Sequence, residues 1–308
     1  MKVYQSVDEF KKVANAVVTI GTFDGVHAGH KKILTRLKEL AAPCKGETVV
    51  LTFFPHPRMV LQPDDNDLKL ITTLDERILL LNNFGIDHLI IQPFNKEFSR
   101  ITAVEFVRDL LVNKIGMKTL VIGHDHHFGR NREGSYKDLE EFAPVYDFRL
   151  EEIKEEVINE VAVSSTKIRK ALIDGDIKSA NELMDHHFPI TGKVVEGDRL
   201  GRNIGFPTAN ISIAENYKLI PAEGIYAVTA TIEDRTFKGM LYIGKRPVLN
   251  GTEQRIEVNL FDFDGDIYGK QITVYFKDRI RGDEHFESME KLKEKMKEDK
   301  KHATKILS

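Results

Sequence analysis

The chain has 308 residues, 41% of them hydrophobic, which exceeds the usual size of one domain and is enough for two packed cores. A formal net charge of −3 with 30% charged residues asks for neither nucleic acid nor an anionic membrane, so any basic patch is local. The single cysteine, Cys44, excludes an intramolecular disulfide and a cysteine-cluster metal site, and fits a reducing cytoplasm.

The N-terminus has no signal-peptide apolar core, and no apolar run approaches the roughly 18 residues of a membrane span, so a soluble cytoplasmic protein is expected. In chain order, an apolar run at Val17, Val18 and Ile20 reads as a buried strand. It leads through Gly21-Thr-Phe-Asp-Gly-Val-His-Ala-Gly-His30 into a segment whose apolar residues Ile33, Leu34, Leu37, Leu40 and Ala41 share one helical face. A strand-to-helix turn of this kind aims backbone N–H groups and the positive helix end at an anion. His27 and His30, three apart, then face that anion together, where two N–H donors stabilise charge building on a leaving pyrophosphate. The H-x-G-H spacing resembles the signature of the nucleotidyltransferase superfamily. No G-x-x-x-x-G-K-[ST] arrangement follows, so a P-loop does not fit.

Further strand-like runs at Thr48–Phe54, His88–Gln92 and Thr119–Gly123 alternate with helical patterns, and Thr73-Leu-Asp-Glu76 and Thr102-Ala-Val-Glu105 match helix-opening capping boxes. The reading is an α/β fold, a doubly wound parallel sheet whose ligands collect at the loops after the strands. One such loop is Phe53-Phe-Pro-His-Pro-Arg58, which reads either as a chain reversal or as a binding element. Another is Gly123-His-Asp-His-His-Phe-Gly-Arg-Asn-Arg-Glu-Gly134. Its histidines and aspartate raise a metal site, but a pocket for an aromatic, phosphate-bearing acceptor explains Phe128, Arg130 and Arg132 more simply. At Val163-Ser-Ser-Thr-Lys-Ile-Arg169, Ser164 or Ser165 can cap the following helix, while the hydroxyls with Lys167 and Arg169 also suit a triphosphate.

These motifs, in this order, resemble the bacterial FAD synthetases, the bifunctional riboflavin kinase/FMN adenylyltransferases. The resemblance implies that the first half transfers AMP from ATP to FMN. By motif match it places Gly21, Phe23, Asp24, His27, His30, Ser165, Thr166 and Arg169 at the nucleotide, and Pro55, His56, Pro57, Asp125, Phe128 and Arg132 at the flavin. Thr22 stands where the family more often has Asn, and His126-His127 replace its usual aromatic and basic residues.

Asp174-Gly-Asp176 breaks one helical pattern and Asp185-His-His-Phe-Pro189 ends the next, which sets the expected domains at 1–185 and 186–308. Beyond lie β-branched and aromatic runs at Ile225–Ile232, Gly239–Ile243, Ile256–Phe263 and Gln271–Phe276. Turn signals at Glu233-Asp234, Asn250-Gly251 and Asp264-Gly265 separate them, the pattern of a small antiparallel β-barrel. A C-terminal helix is expected at about Ser288 to Lys297, with Met289, Leu292 and Met296 on its packed face.

Gly192, Gly197, Gly201 and Gly205 read either as hairpin glycines or as a nucleotide loop. In Pro207-Thr-Ala-Asn210, Thr208 and Asn210 put two oxygens on one face of an extended segment, which suits Mg²⁺. A kinase acting on an alcohol also needs a carboxylate. Glu257, on an alternating strand, either faces solvent or points inward for that use. Together with Ile243-Gly-Lys-Arg-Pro247 and Tyr268-Gly269, these segments resemble the riboflavin kinase module. That resemblance implies Glu257 as base, Thr208 and Asn210 as metal ligands, and Gly192, Gly197, Gly201 and Pro207 at the nucleotide. Val248 and Asn259 replace a usual Thr and a frequent His.

The expected function is riboflavin to FMN in the barrel and FMN to FAD in the sheet. ATP and Mg²⁺ serve as cofactors, flavins as substrates and products, and no nucleic acid or membrane partner is expected. The rivals are a transferase for another phosphorylated acceptor and a flavin-binding regulator without catalysis. Thr208, Asn210 and Glu257 argue against the first; the retained His27, His30 and Arg169 argue with them against the second.

Overall fold

A computed structural model describes residues 1–62, 68–123, 126–153, 164–197, 201, 205–248 and 251–308. The chain divides into two compact units, Met1–Lys69 with Leu74–Ser164, and Leu70–Thr73 with Ser165–Ser308.

The first unit is built on six strands: β1 (Lys2–Tyr4), β2 (Ala16–Ile20), β3 (Thr48–Phe54), β4 (His88–Pro93), β5 (Met117–Gly123) and β6 (Arg149–Ile153). They pair in the order β1-β4-β3-β2-β5-β6, every pair parallel. The central strands are apolar runs because both sheet faces are covered. Val18, Ile20, Val49, Leu51, Leu120 and Ile122 pack on one side, and Val17, Val50, Leu89 and Val121 on the other. Helices α1 (Ala28–Ala41) and α3 (Leu74–Phe84) cover the second side through Leu34, Leu37 and Leu81. A short helix α2 (Pro57–Leu61) follows β3.

On the first side lies α4 (Ala103–Ile115), opened by the Thr102–Glu105 capping box and wound as a π-helix from Phe106. Helix α5 (Tyr136–Tyr146) precedes β6. The four internal strands match the expected runs. The edge strands β1 and β6 escaped the pattern, since Lys-Val-Tyr and Arg-Leu-Glu-Glu-Ile are too short and too polar to signal a buried strand. The strand order reverses between β2 and β5, so the crevice at their carboxyl ends opens where the Gly21–His30 turn and the loop after Gly123 begin.

In the second unit, helices α6 (Ser165–Asp174) and α7 (Ile177–Met184) precede a closed antiparallel barrel of β7 (Pro189–Val195), β8 (Ala209–Ser212), β9 (Gly224–Ile232), β10 (Arg235–Val248), β11 (Gly251–Leu260) and β12 (Gln271–Arg281). Gly175 at φ 79° separates the two helices, and Asp176 caps α7 by accepting the Ser179 N–H. Both helices are tied to the barrel. Ala222 N–H donates to the Leu172 carbonyl at 3.1 Å, and the Asn181 amide donates to the Phe276 carbonyl at 2.9 Å. The buried Lys218 ammonium sits over the Phe188 ring and donates to the carbonyls of Ile71 and Pro189, both at 2.7 Å. The turn expected at Asn250-Gly251 lies partly outside the described residues; Val248 pairs with Gly251 across it.

The C-terminal helix α8 runs Met289–Ile306, nine residues beyond the expected end at Lys297. Its packed face carries Met296, Asp299, Ala303 and Leu307, whereas Met289 is 50% exposed. The expected pattern stops where Asp299 takes a buried position. Its carboxylate receives Arg281 Nη2 at 2.8 Å and Nε at 3.0 Å, a two-point pair that satisfies the charge. Removing one partner leaves a buried uncompensated charge. Asp299→Ala is therefore expected to destabilise the second unit by about 3–5 kcal/mol in urea unfolding, while Arg281→Met/Asp299→Leu recovers most of the loss.

Candidate active sites

In the first unit the turn after β2 is anchored by Gly21 N–H on the Leu51 carbonyl at 3.1 Å and by the Thr52 hydroxyl on the Thr22 carbonyl at 3.3 Å. Phe23, Gly25 and Val26 all take positive φ, at 48°, 84° and 39°. For a β-branched valine this is a strained conformation, maintained by burial of both Phe23 and Val26. Phe23 therefore serves as a core side chain beneath the turn, with its ring 4.9 Å from that of His30, and Asp24 is buried beside it.

His27 caps α1. Its Nδ1 accepts the His30 N–H at 3.4 Å, which puts its own proton on Nε2. The two imidazoles stack, 3.7 Å between centroids and 16° between planes. Burial first, then the neighbouring His27 and Arg77, hold His30 well below the usual 6.5 and keep it neutral at pH 7. His30 Nδ1 is buried without a hydrogen-bond partner among the described residues. The first turn of α1 carries no acidic residue, so nothing on the helix competes for an incoming anion.

Around the carboxyl ends of β3 and β4, His56 caps α2 by accepting the Arg58 N–H at 3.2 Å, Pro57 opens that helix, and the Phe54–Pro55 peptide is cis. Beside them the half-buried rings of Phe53, Phe94 and Phe98 meet at 5.8–5.9 Å, an aromatic cluster that the sequence reading did not single out. Phe128 packs on Phe106 in the core and is 7% exposed; Arg132 is exposed, at φ 59°. Asp125 lies outside the described residues. Among the described residues no group of three or more His, Cys, Asp or Glu is placed to hold a metal. Ser165, Thr166 and Arg169 lie in the first turns of α6, in the second unit.

In the barrel, β8 runs beside β11 with Asn210 opposite Glu257. Thr208 Oγ1 donates to Glu257 Oε2 at 3.0 Å, and Arg255 Nη1 lies 3.5 Å from Glu257 Oε1. Glu257 takes neither alternative in full: its side chain stands on the face of β11 opposite Val258 and the barrel interior, 22% exposed and held by Thr208 and Arg255. The donor set suits Mg²⁺. The oxygens are hard, and a threonine hydroxyl that donates to a carboxylate keeps its lone pairs for a cation.

Gly192, Gly197 and Gly201 are close-approach positions. A Cβ on Gly197 would collide with the Asn210 amide, one on Gly201 with the Phe206 carbonyl, and one on Gly192 would lie 2.6 Å from Ile211 and Ser212 atoms. A cleft of about 660 Å³ opens beside Thr208, bordered by Pro207, Phe263, Asp264, Ile267 and Tyr268. Across the β10–β11 pair, Tyr242 faces Glu257 and donates to Asp283 at 3.2 Å; burial, then Asp283, pushes its hydroxyl up to about 12. Neither Tyr242 nor Asp283 was singled out in the sequence.

The family model of FAD synthetase matches residues 9–167, and that of riboflavin kinase matches residues 184–307. The chain belongs to the bifunctional riboflavin kinase/FMN adenylyltransferases. A member from Buchnera aphidicola subsp. Acyrthosiphon pisum is 34% identical, over 97% of this chain and 96% of the relative. The Escherichia coli K12 member is 36% identical over 92% and 90%. A solved structure titled as a macrolide-efflux protein from Streptococcus pneumoniae superposes with a TM-score of 0.88 at 32% identity, covering 98% of each chain. Among the described residues here no helix is long and apolar enough to cross a membrane.

The chain is accordingly an enzyme with an FMN adenylyltransferase half and a riboflavin kinase half, using ATP with Mg²⁺ and taking flavins as substrates and products. The first unit's stability carries the sign of His30. Its folded pKa is lowered, so the unfolded chain binds the extra proton. The contribution is complete above about 6.5 and is lost as pH falls from there toward the depressed folded value. Urea transitions of the first unit at stepped pH are expected to show this loss in the native sequence and a shallower one in His30→Gln.

Proposed function

We propose that the two reactions run at separate sites, one per half, with the functional partition near residue 185 and the whole enzyme working in the cytoplasm on small molecules. The observation that carries the kinase assignment is the Thr208–Glu257 hydrogen bond of 3.0 Å on adjoining strands, with Asn210 in register. Glu257 accepts the proton of riboflavin's terminal hydroxyl as that oxygen bonds to the γ-phosphorus of ATP and ADP departs. Thr208 and Asn210 hold the Mg²⁺ that, when bound, neutralises and orients the phosphates. The cleft bordered by Phe263, Ile267 and Tyr268 takes the nucleotide base, with Gly192, Gly197, Gly201 and Pro207 on the side of its phosphates.

In the adenylyltransferase half, an FMN phosphate oxygen bonds to the α-phosphorus of ATP and pyrophosphate leaves. His27, with its proton on Nε2, and neutral His30 donate N–H groups to the charge that develops there. The turn of Gly21, Phe23 and Asp24 holds these imidazoles in place, while Ser165, Thr166 and Arg169 take ATP phosphates. Pro55, His56, Pro57, Asp125, Phe128 and Arg132 border the flavin, joined by the Phe53, Phe94 and Phe98 cluster, whose half-exposed rings offer a stacking surface.

The two halves are separable by mutation. With riboflavin and Mg-ATP, chromatography of the products is expected to show His30→Ala halting at FMN. Glu257→Ala is expected to make no FMN yet still adenylylate FMN supplied to it. Normal phosphorylation of riboflavin by Glu257→Ala would remove the base assignment, and FAD formation by His30→Ala at the native rate would remove the histidine assignment.

A further inference from the structure

We propose that Asn259 is a positioning residue of the kinase half, its carboxamide holding the Pro207–Asn210 segment in the geometry that receives the Mg-nucleotide. This inference rests on the assignment of Thr208, Asn210 and Glu257 above. Asn259 is 5% exposed and stands two residues after Glu257 on β11, where the pleat puts both side chains on one side of the strand. Its Nδ2 donates to the Pro207 carbonyl at 2.7 Å. Only the NH₂ end of a carboxamide donates to a carbonyl, so this bond also sets which way the group is turned.

Pro207 has no N–H and lies ahead of the β8 ladder, which begins with Ala209 opposite Val258 and Asn210 opposite Glu257. Its carbonyl is the main-chain group next to Thr208, and Asn259 takes it. Two residues of β11 therefore clamp successive residues of the segment that leads into β8: Glu257 takes the Thr208 hydroxyl, and Asn259 holds the Pro207 carbonyl. The Gly197 backbone approaches the Asn210 amide so closely that a Cβ there would displace it. Thr208 and Asn210 are thus presented from a preorganised segment, and the bond that locks its entry is the Asn259 carboxamide.

The variants are Asn259→Asp, which sets an acceptor against an acceptor, Asn259→Leu, which removes the donor at similar size, and Asn259→His, which keeps an N–H donor. Thr208→Ala is the control, all in the full chain. For Asp and Leu, KM for Mg-ATP in riboflavin phosphorylation is expected to rise about tenfold or more, the effect of leaving a buried carbonyl unpaired. MgADP is expected to lose most of its stabilisation of the second unit's thermal transition. KM for riboflavin and the adenylylation of supplied FMN stay unchanged, and Asn259→His restores most of the nucleotide effect. Equal losses for riboflavin and nucleotide would make the residue merely structural and overturn the proposal. So would unchanged nucleotide readouts in Asp and Leu while Thr208→Ala loses them. Should Thr208→Ala itself keep full MgADP stabilisation, the motif assignment fails first and this inference falls with it.

Discussion

The candidate site of the barrel is organised by one hydrogen bond, from Thr208 to Glu257, between residues 49 apart in the chain. It exists because the barrel closes: β8 reaches β11 only when six strands complete the ring, and antiparallel register then sets Asn210 opposite Glu257. A carboxylate and a hydroxyl brought together this way gain little net energy over their bonds to water. The cost of placing them is met by the apolar barrel interior, including Val228, Leu241, Val258, Val274 and Phe276, all fully buried. The same architecture supports the C-terminal helix, whose one buried charge is answered by Arg281 at the end of β12.

The adenylyltransferase half solves a related problem by different means. Its turn sets a helix N-terminus and two stacked imidazoles at the end of β2. Stacked His27 and His30 cannot both protonate cheaply, and burial favours the uncharged form of His30. The imidazoles stay aimed because the turn beneath them is strained at Phe23 and Val26 and pinned by core packing. Rigid support of this kind suits a site that must not reorganise as charge moves.

Most of the architecture was legible in the sequence because its strongest signals are local. Buried parallel strands are unbroken apolar runs, and capping boxes such as Thr102–Glu105 announce helices. What escaped was polar or distant. β1 and β6 are edge strands without apolar runs, and α8 was cut short because Asp299 looks like a surface residue until Arg281, 18 positions away, is seen beside it. Helices α6 and α7 read as part of the first domain, yet they pack with the barrel through bonds such as Asn181 to Phe276, a preference that no pattern within those helices reveals.

The amino-acid order by itself singled out the candidate residues for the chemistry. A turn of glycines and histidines after an apolar strand, and a Thr-x-Asn segment with a carboxylate on an alternating strand, state their preferences through backbone angles and side-chain type alone. Tertiary structure decided how those groups are held. It turned Glu257 toward Thr208, gave His27 its tautomer, made close-approach positions of Gly192, Gly197 and Gly201, and set Asn259 on Pro207. The physical reason is that hydrogen-bond partners and burial depend on strand register and sheet closure, which bring together residues tens of positions apart.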